Sequence, residues 1–226
     1  MARSNYYTDE AIVLRQKDWG PADKIVTLYT KGRGLVRAAA YGSRRLRSPL
    51  AGIQPFGEIR VTLTEAGAGS QLDTIRQYTS LNRNPAITED IQRLAYGSLI
   101  AEVAARLSPE QVPDEAVYSS LAGALLSLAR RNPQLVAISA VIKLLRLTGW
   151  GEILPEKTEE TEGREESLPP EAGELFGILA GLDWSNPPSF TAKRSQIAAC
   201  ENYVMEILAK RTGCRPRSLT FIRQLR

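Results

Sequence analysis

Asp18-Trp19-Gly20-Pro21-Ala22-Asp23-Lys24-Ile25-Val26-Thr27-Leu28-Tyr29-Thr30, then Gly34-Leu35-Val36-Arg37, then Tyr41-Gly42-Ser43-Arg44-Arg45-Leu46-Arg47-Ser48 follow one another inside the segment from Ala11 to Phe56. Two strand-like runs lead into a compact basic turn. Arg44, Arg45 and Arg47 fall within four residues, between Gly42, Ser43 and Ser48. Small residues let a polyanion approach the backbone, and arginines supply forked donors that match phosphate. The segment therefore points to nucleic acid rather than to small-molecule chemistry.

The same alternation extends over the first eighty residues. Strands are expected at Glu10–Gln16, Lys24–Tyr29, Gly34–Tyr41, Gly57–Thr64 and Gln71–Tyr78. In Ile59-Arg60-Val61-Thr62-Leu63-Thr64 the apolar residues Ile59, Val61 and Leu63 face inward, and Arg60 and the threonines outward. Trp19-Gly20-Pro21, Lys31-Gly32-Arg33-Gly34 and Gly67-Ala68-Gly69 carry turn chemistry. Five short strands at this spacing predict a small barrel, of which the OB-fold is the usual nucleic-acid-binding form.

From about residue 85 the apolar period becomes helical. A helix with Thr88 as N-cap runs to about Leu107, and a second opens at Pro113-Asp114-Glu115. Asn132-Pro133 caps a third, expected to reach Thr148 with Gly149 as its stop. Val136, Ile138, Val141, Ile142, Leu144, Leu145 and Leu147 make it apolar on nearly every side, the pattern of the buried centre of a bundle. Helices resume near Glu171–Leu182, from Thr191 to Thr212 before Gly213, and over Ser218–Leu225. The expected class is α+β: an OB-fold β-barrel domain over 1–82, then a helical bundle over 83–226. A polar, acidic stretch at about 151–170 reads as a flexible loop.

Composition excludes much. The chain of 226 residues has no histidine, which removes the commonest general base and metal ligand. Its two cysteines, Cys200 and Cys214, form no Cys-x-x-Cys pair and are read as structural, in a reducing cytoplasm. There is no run of about eighteen apolar residues to span a membrane. Met1-Ala2-Arg3-Ser4-Asn5 lacks the apolar core of a secretion signal. No P-loop or dinucleotide fingerprint occurs. No cofactor, no metal and no enzymatic activity are expected.

Charge is uneven along the chain. Residues 1–82 hold 12 Lys/Arg against 7 Asp/Glu, residues 152–174 hold 2 against 9, and residues 191–226 hold 8 against 2. Basic ends around an acidic middle suggest two polyanion-facing surfaces. On the barrel, Lys24, Arg33, Arg37, Arg44, Arg45 and Arg47 are the candidate DNA-binding residues. A solvated surface turn is the bland reading of the arginines. Trp19, Tyr29 and Tyr41 could add stacking faces, as in single-strand-binding grooves. Trp19 is nevertheless assigned to core packing, and Tyr41 is left open between the barrel wall and stacking. Lys210, Arg211, Arg215, Arg217 and Arg223, with Arg226, form a candidate second DNA surface or a dock for an acidic peptide. Two alternatives stand beside DNA binding: an RNA-binding OB protein, and a magnesium-dependent nuclease built on Glu10, Asp18 and Asp23.

Taken together, Ala11–Leu14, Trp19–Thr30, Gly34–Ala38, Gly42–Arg45, Leu50, Gln54–Phe56 and the closing Gly213–Leu225 resemble the RecO family of bacterial DNA repair proteins. The resemblance implies a recombination mediator that binds single- and double-stranded DNA and anneals complementary strands. It implies the partner RecR, loading of RecA onto DNA coated by single-strand-binding protein, and contact with the acidic tail of that protein. It places the chain in the cytoplasm, associated with the nucleoid. Many members carry a four-cysteine zinc site after the buried helix. Here Gly149-Trp150-Gly151-Glu152-Ile153-Leu154-Pro155 leads into the acidic stretch without a cysteine, so the zinc site is expected to be lost.

Overall fold

A computed structural model describes residues 5–67, 70–153, 168–183 and 190–225. Five strands come first: β1 (Tyr6–Trp19), β2 (Asp23–Thr30), β3 (Gly34–Ala40), β4 (Glu58–Thr64) and β5 (Asp73–Asn82). They close into a barrel in the order β1-β2-β3-β5-β4, all pairs antiparallel except β3 with β5. This is the five-stranded OB arrangement expected from the strand spacing. β1 is longer than its apolar run suggests, because its first half pairs with β4 and its second with β2.

The barrel interior holds Ala11, Val13, Val26, Leu28, Val36, Ala38, Ala40, Ile59, Val61, Leu63 and Ile75. The expected inward faces of Ile59, Val61 and Leu63 hold, and Arg60 lies outside against Glu10 at 2.8 Å. The long β3–β4 connection sends Leu50 and Ile53 into the same core. Inward alternation breaks in β1, where the register shifts between Val13 and Arg15. A bulge of this kind places one extra residue in the strand and reverses which side chains face the core beyond it.

Two compact units emerge, Met1–Pro85 with Ser108–Ala122, and Ala86–Leu107 with Gly123–Arg226. In the barrel unit, Gln111 donates its N–H to the Leu35 carbonyl and the Tyr118 hydroxyl donates to Glu58 at 2.8 Å. The Tyr29 hydroxyl reaches the Asp114 carbonyl, so Tyr29 and Leu35, on the outer side of β2 and β3, are buried beneath this segment.

The helices are α1 (Pro85–Thr88), α2 (Ile91–Leu107), α3 (Glu115–Leu128), α4 (Pro133–Leu145), α5 (Pro170–Ala180), α6 (Arg194–Thr212) and α7 (Ser218–Gln224). Thr88 is not the cap of α2. It ends the single turn of α1, and Asp90 caps α2 by accepting from the N–H groups of Gln92 and Arg93, both at 2.9 Å. Asn132 caps α4 as expected, accepting from Gln134 and Leu135, with Pro133 in the first turn. Nine of the thirteen α4 residues are buried, which makes it the core of its unit against α2, α5 and α6. The α-helix stops at Leu145 rather than Thr148. It widens into a π turn over Arg146–Trp150, with Gly149 at φ +87°. The start of α6 falls at Arg194, later than Thr191, and Gly213 closes it in the left-handed region. Of the acidic stretch, residues 154–167 lie outside the described residues.

Gly34 opens β3 at φ +67°, and a Cβ there would sit 2.1 Å from the Val112 carbonyl oxygen. Both the dihedral and the contact demand glycine. Gly34→Ala is expected to cost at least about 2 kcal/mol and to lower Tm by roughly 4–8 °C. Thermal denaturation followed by circular dichroism measures this.

Candidate nucleic-acid interface

Beyond the bulge, cross-strand pairing sets which side chains share the outer face. Arg15 pairs with Thr27 and Thr27 with Arg37, while Lys17 pairs with Ile25 and Ile25 with Ala39. Val26, Leu28, Val36, Ala38 and Ala40 occupy the interior, so Arg15, Lys17 and Arg37 stand outward and all three are exposed. Paired residues lie about 5 Å apart across strands, so these cations share one patch. Trp19 pairs with Asp23 at the end of the row. It is not a core residue: it is 42% exposed and meets Tyr41, 53% exposed, with ring centroids 6.0 Å apart.

The basic turn is fastened beside this pair. Asp23 accepts from the Gly42 N–H at 2.7 Å, and the Arg44 N–H donates to the Ala22 carbonyl at 2.9 Å. The Arg44 guanidinium also donates to the Gly20 carbonyl and lies 3.4 Å from the Asp18 carboxylate. Gly20 and Gly42 both take positive φ, which lets the two turns fold against each other. Arg45, Leu46 and Arg47 are exposed, with Arg47 itself at φ 65°. Among the described residues, Arg15, Lys17, Arg37, Arg45 and Arg47 make no ion pair.

The six barrel cations read from the sequence thus separate into three groups. Arg37, Arg44, Arg45 and Arg47 gather at the face and its rim. Lys24 faces the barrel mouth, where its ammonium donates to Gln16 at 3.0 Å and Gln16 in turn donates to the Ile53 carbonyl. Arg33 lies in the β2–β3 turn, at the far end of β3, about 20 Å along the strand. It pairs with Glu65 at 2.5 Å and its guanidinium sits 3.8 Å from the centre of the Tyr7 ring. Arg15 and Lys17 join the face without having been singled out. The signal for them was their alternation with Trp19, which the bulge turned outward.

In the helical unit, Lys210, Arg211, Arg215, Arg217 and Arg223 are all exposed. Arg215 and Arg223 line a groove of about 610 Å³ between α6 and α7, floored by Met205, Ala209, Leu219 and Ile222. Glu201 and Glu206 share its wall, and Lys210 holds Glu206 at 2.8 Å.

The three carboxylates of the nuclease alternative are engaged structurally: Glu10 by Arg60, Asp18 by Arg44 and Asp23 by the Gly42 N–H. No group of three or more potential metal ligands occurs among the described residues. Cys200 and Cys214 do not fit the family's zinc site. They are the only two cysteines, both are buried, and with no histidine the chain cannot supply the four Cys or His ligands of a structural zinc site. Among the described residues no helix is long and apolar enough to cross a membrane.

The family model described as "Recombination protein O N terminal" matches residues 1–83, the barrel, and its C-terminal counterpart matches residues 88–155. The chain belongs to the RecO family. Among curated relatives, the DNA repair protein RecO of Pelotomaculum thermopropionicum is 34% identical over 149 residues, 66% of this chain and 57% of that protein. The RecO of Bifidobacterium animalis subsp. lactis is 39% identical over 149 residues, 64% of this chain and 61% of the relative. The chain therefore spans about three fifths of the length of these RecO relatives.

The Tyr7 hydroxyl of β1 donates to Asp73, the first residue of β5, at 2.5 Å. Burial first, then the Asp73 carboxylate, raises the phenol well above its ordinary range. A raised folded value means the neutral phenol is favoured by folding. The stability it supplies is whole below about pH 10, the unfolded value, and is lost as pH rises beyond it. Tyr7→Phe is expected to lower stability by about 1.5–3 kcal/mol at neutral pH and to flatten the alkaline decline. Urea unfolding at pH 7 and at pH 10.5 checks both parts.

Proposed function

We propose that this protein is a DNA repair and recombination mediator that holds DNA on the outer face of its barrel and brings complementary strands together. The observation that carries the reading is the unpaired cationic patch of Arg15, Lys17 and Arg37, continued by Arg44, Arg45 and Arg47 beside an exposed aromatic pair. Membership of the RecO family and the name of the two relatives, DNA repair protein RecO, support it. The chemistry is physical rather than covalent. Cations on one face reduce the repulsion between two phosphate backbones, and no nucleophile or acid–base pair is needed for strands to pair. The protein would act in the cytoplasm on nucleoid DNA, with RecR, to load RecA onto strands coated by single-strand-binding protein.

Six phosphate contacts give a slope of log affinity against log salt of roughly −4 on single strands. Fluorescence anisotropy from low to high salt should show that slope. The Arg44→Ala/Arg45→Ala/Arg47→Ala variant should reduce it to roughly −2, and should slow annealing of strands coated by single-strand-binding protein. A flat salt response in the wild type would overturn the reading.

The α6–α7 groove is the proposed seat of the acidic tail of single-strand-binding protein. Its apolar floor suits an apolar peptide end, and Arg215 and Arg223 suit carboxylates. A fluorescent acidic tail peptide should bind at low salt, and Arg215→Glu/Arg223→Glu should weaken it at least tenfold. Equal affinity for the two proteins would remove the groove from the proposal.

A further inference from the structure

Trp19 and Tyr41 are costly where they stand. Two large rings lie partly in water although the barrel core is filled without them. Their placement is also unusually fixed. Trp19 ends β1 one residue before Gly20, and Tyr41 leaves β3 one residue before Gly42. Asp23 lies between them in the register and holds Gly42, while Arg44 clamps both turns through Gly20 and Ala22. The rings are tilted by 44°, so neither covers the other as a stacked pair would. Both rings keep exposed surface on which a third flat group can rest. Arg15, Lys17 and Arg37 continue outward along the same face, and Leu46, 93% exposed, projects from the adjoining turn.

A flat, apolar group next to a row of phosphate-binding cations is the chemistry of an unpaired base in a nucleic-acid strand. We propose that Trp19 and Tyr41 form a base-stacking platform that makes the barrel face prefer single-stranded over duplex DNA. This rests on the DNA-binding reading above and deepens it. In a duplex the bases are already stacked and paired, and exposing one costs a few kcal/mol. The rings therefore engage free strands and contribute little to duplex, for which the cations act alone. The Asp23 and Arg44 contacts fix the two turns that carry the rings before DNA arrives, so less backbone ordering is lost on binding.

The test measures affinities of wild type, Trp19→Ala and Tyr41→Ala for oligothymidylate and for a duplex of the same length, at one salt concentration. Each substitution should weaken single-strand binding about five- to 100-fold, leave duplex binding within twofold, and leave Tm nearly unchanged. Oligothymidylate should also quench tryptophan fluorescence in the wild type but not in Trp19→Phe. Unchanged single-strand affinity in both alanine variants, or an equal loss for single strand and duplex, overturns the platform while DNA binding stands. A wild type that binds neither DNA overturns both readings.

Discussion

One strand carries the geometry on which the rest depends. β1 must close the barrel against β4 with its first half and support β2 with its second, and a straight fourteen-residue strand cannot lie in both places. The bulge between Val13 and Arg15 resolves this by bending the strand. The same extra residue changes which positions face inward. Ala11 and Val13 fill the core, whereas Arg15, Lys17 and Trp19, in step with them by alternation, face outward. Barrel closure and the charged face are thus two outcomes of one local distortion. Repairing the bulge would bury two cations.

This is also where the sequence stopped being legible. The fold itself could be read, because β4 alternates without interruption and α4 is apolar on nearly every side, so each period has one interpretation. Gly34, Gly149 and Gly213 marked turns for the same reason: their positive φ excludes most other residues. Trp19 was misplaced because a bulge leaves no residue signature, and unbroken alternation from Val13 would have buried it. Thr88 lost the cap of α2 to Asp90, two residues on, because two good capping residues competed and only the turn of α1 decided between them.

Charge pairing was equally invisible. Arg33 and Arg37 lie four residues apart and read alike, yet one is neutralised by Glu65 and rests on Tyr7 while the other stands unpaired. The partners are 32 and 26 residues distant in sequence, brought in by strand pairing. Lys24 likewise serves the closed mouth through Gln16 and Ile53. The exchange of Lys24 and Arg33 for Arg15 and Lys17 leaves the number of cations near the face similar but concentrates them. On the other side of β1, Glu10 and Arg60 neutralise each other. Arg15, Lys17 and Arg37 by contrast keep their charge uncompensated on one face, the kind of surface that orients a polyanion.

A surface with the proposed role has to hold DNA without hiding it. Phosphate contacts carry no sequence information and leave base edges free, so a strand bound through Arg15, Lys17, Arg37 and the arginine turn can still pair with its complement. Stacking works against this if it spreads, because each captured base must be released before it pairs. Confining the aromatic platform to the two rings at one end of the cationic row limits that conflict to one or two bases. In the proposed annealing, duplex geometry would withdraw bases from the rings as the complement zips along the row, and the stacking contribution would disappear once pairing is complete. The cations remain, but their hold weakens steeply with salt. A face with many more aromatics would bind single strands more tightly and anneal them more slowly; affinity and turnover pull in opposite directions, and for the proposed annealing two rings beside a short basic row would balance them.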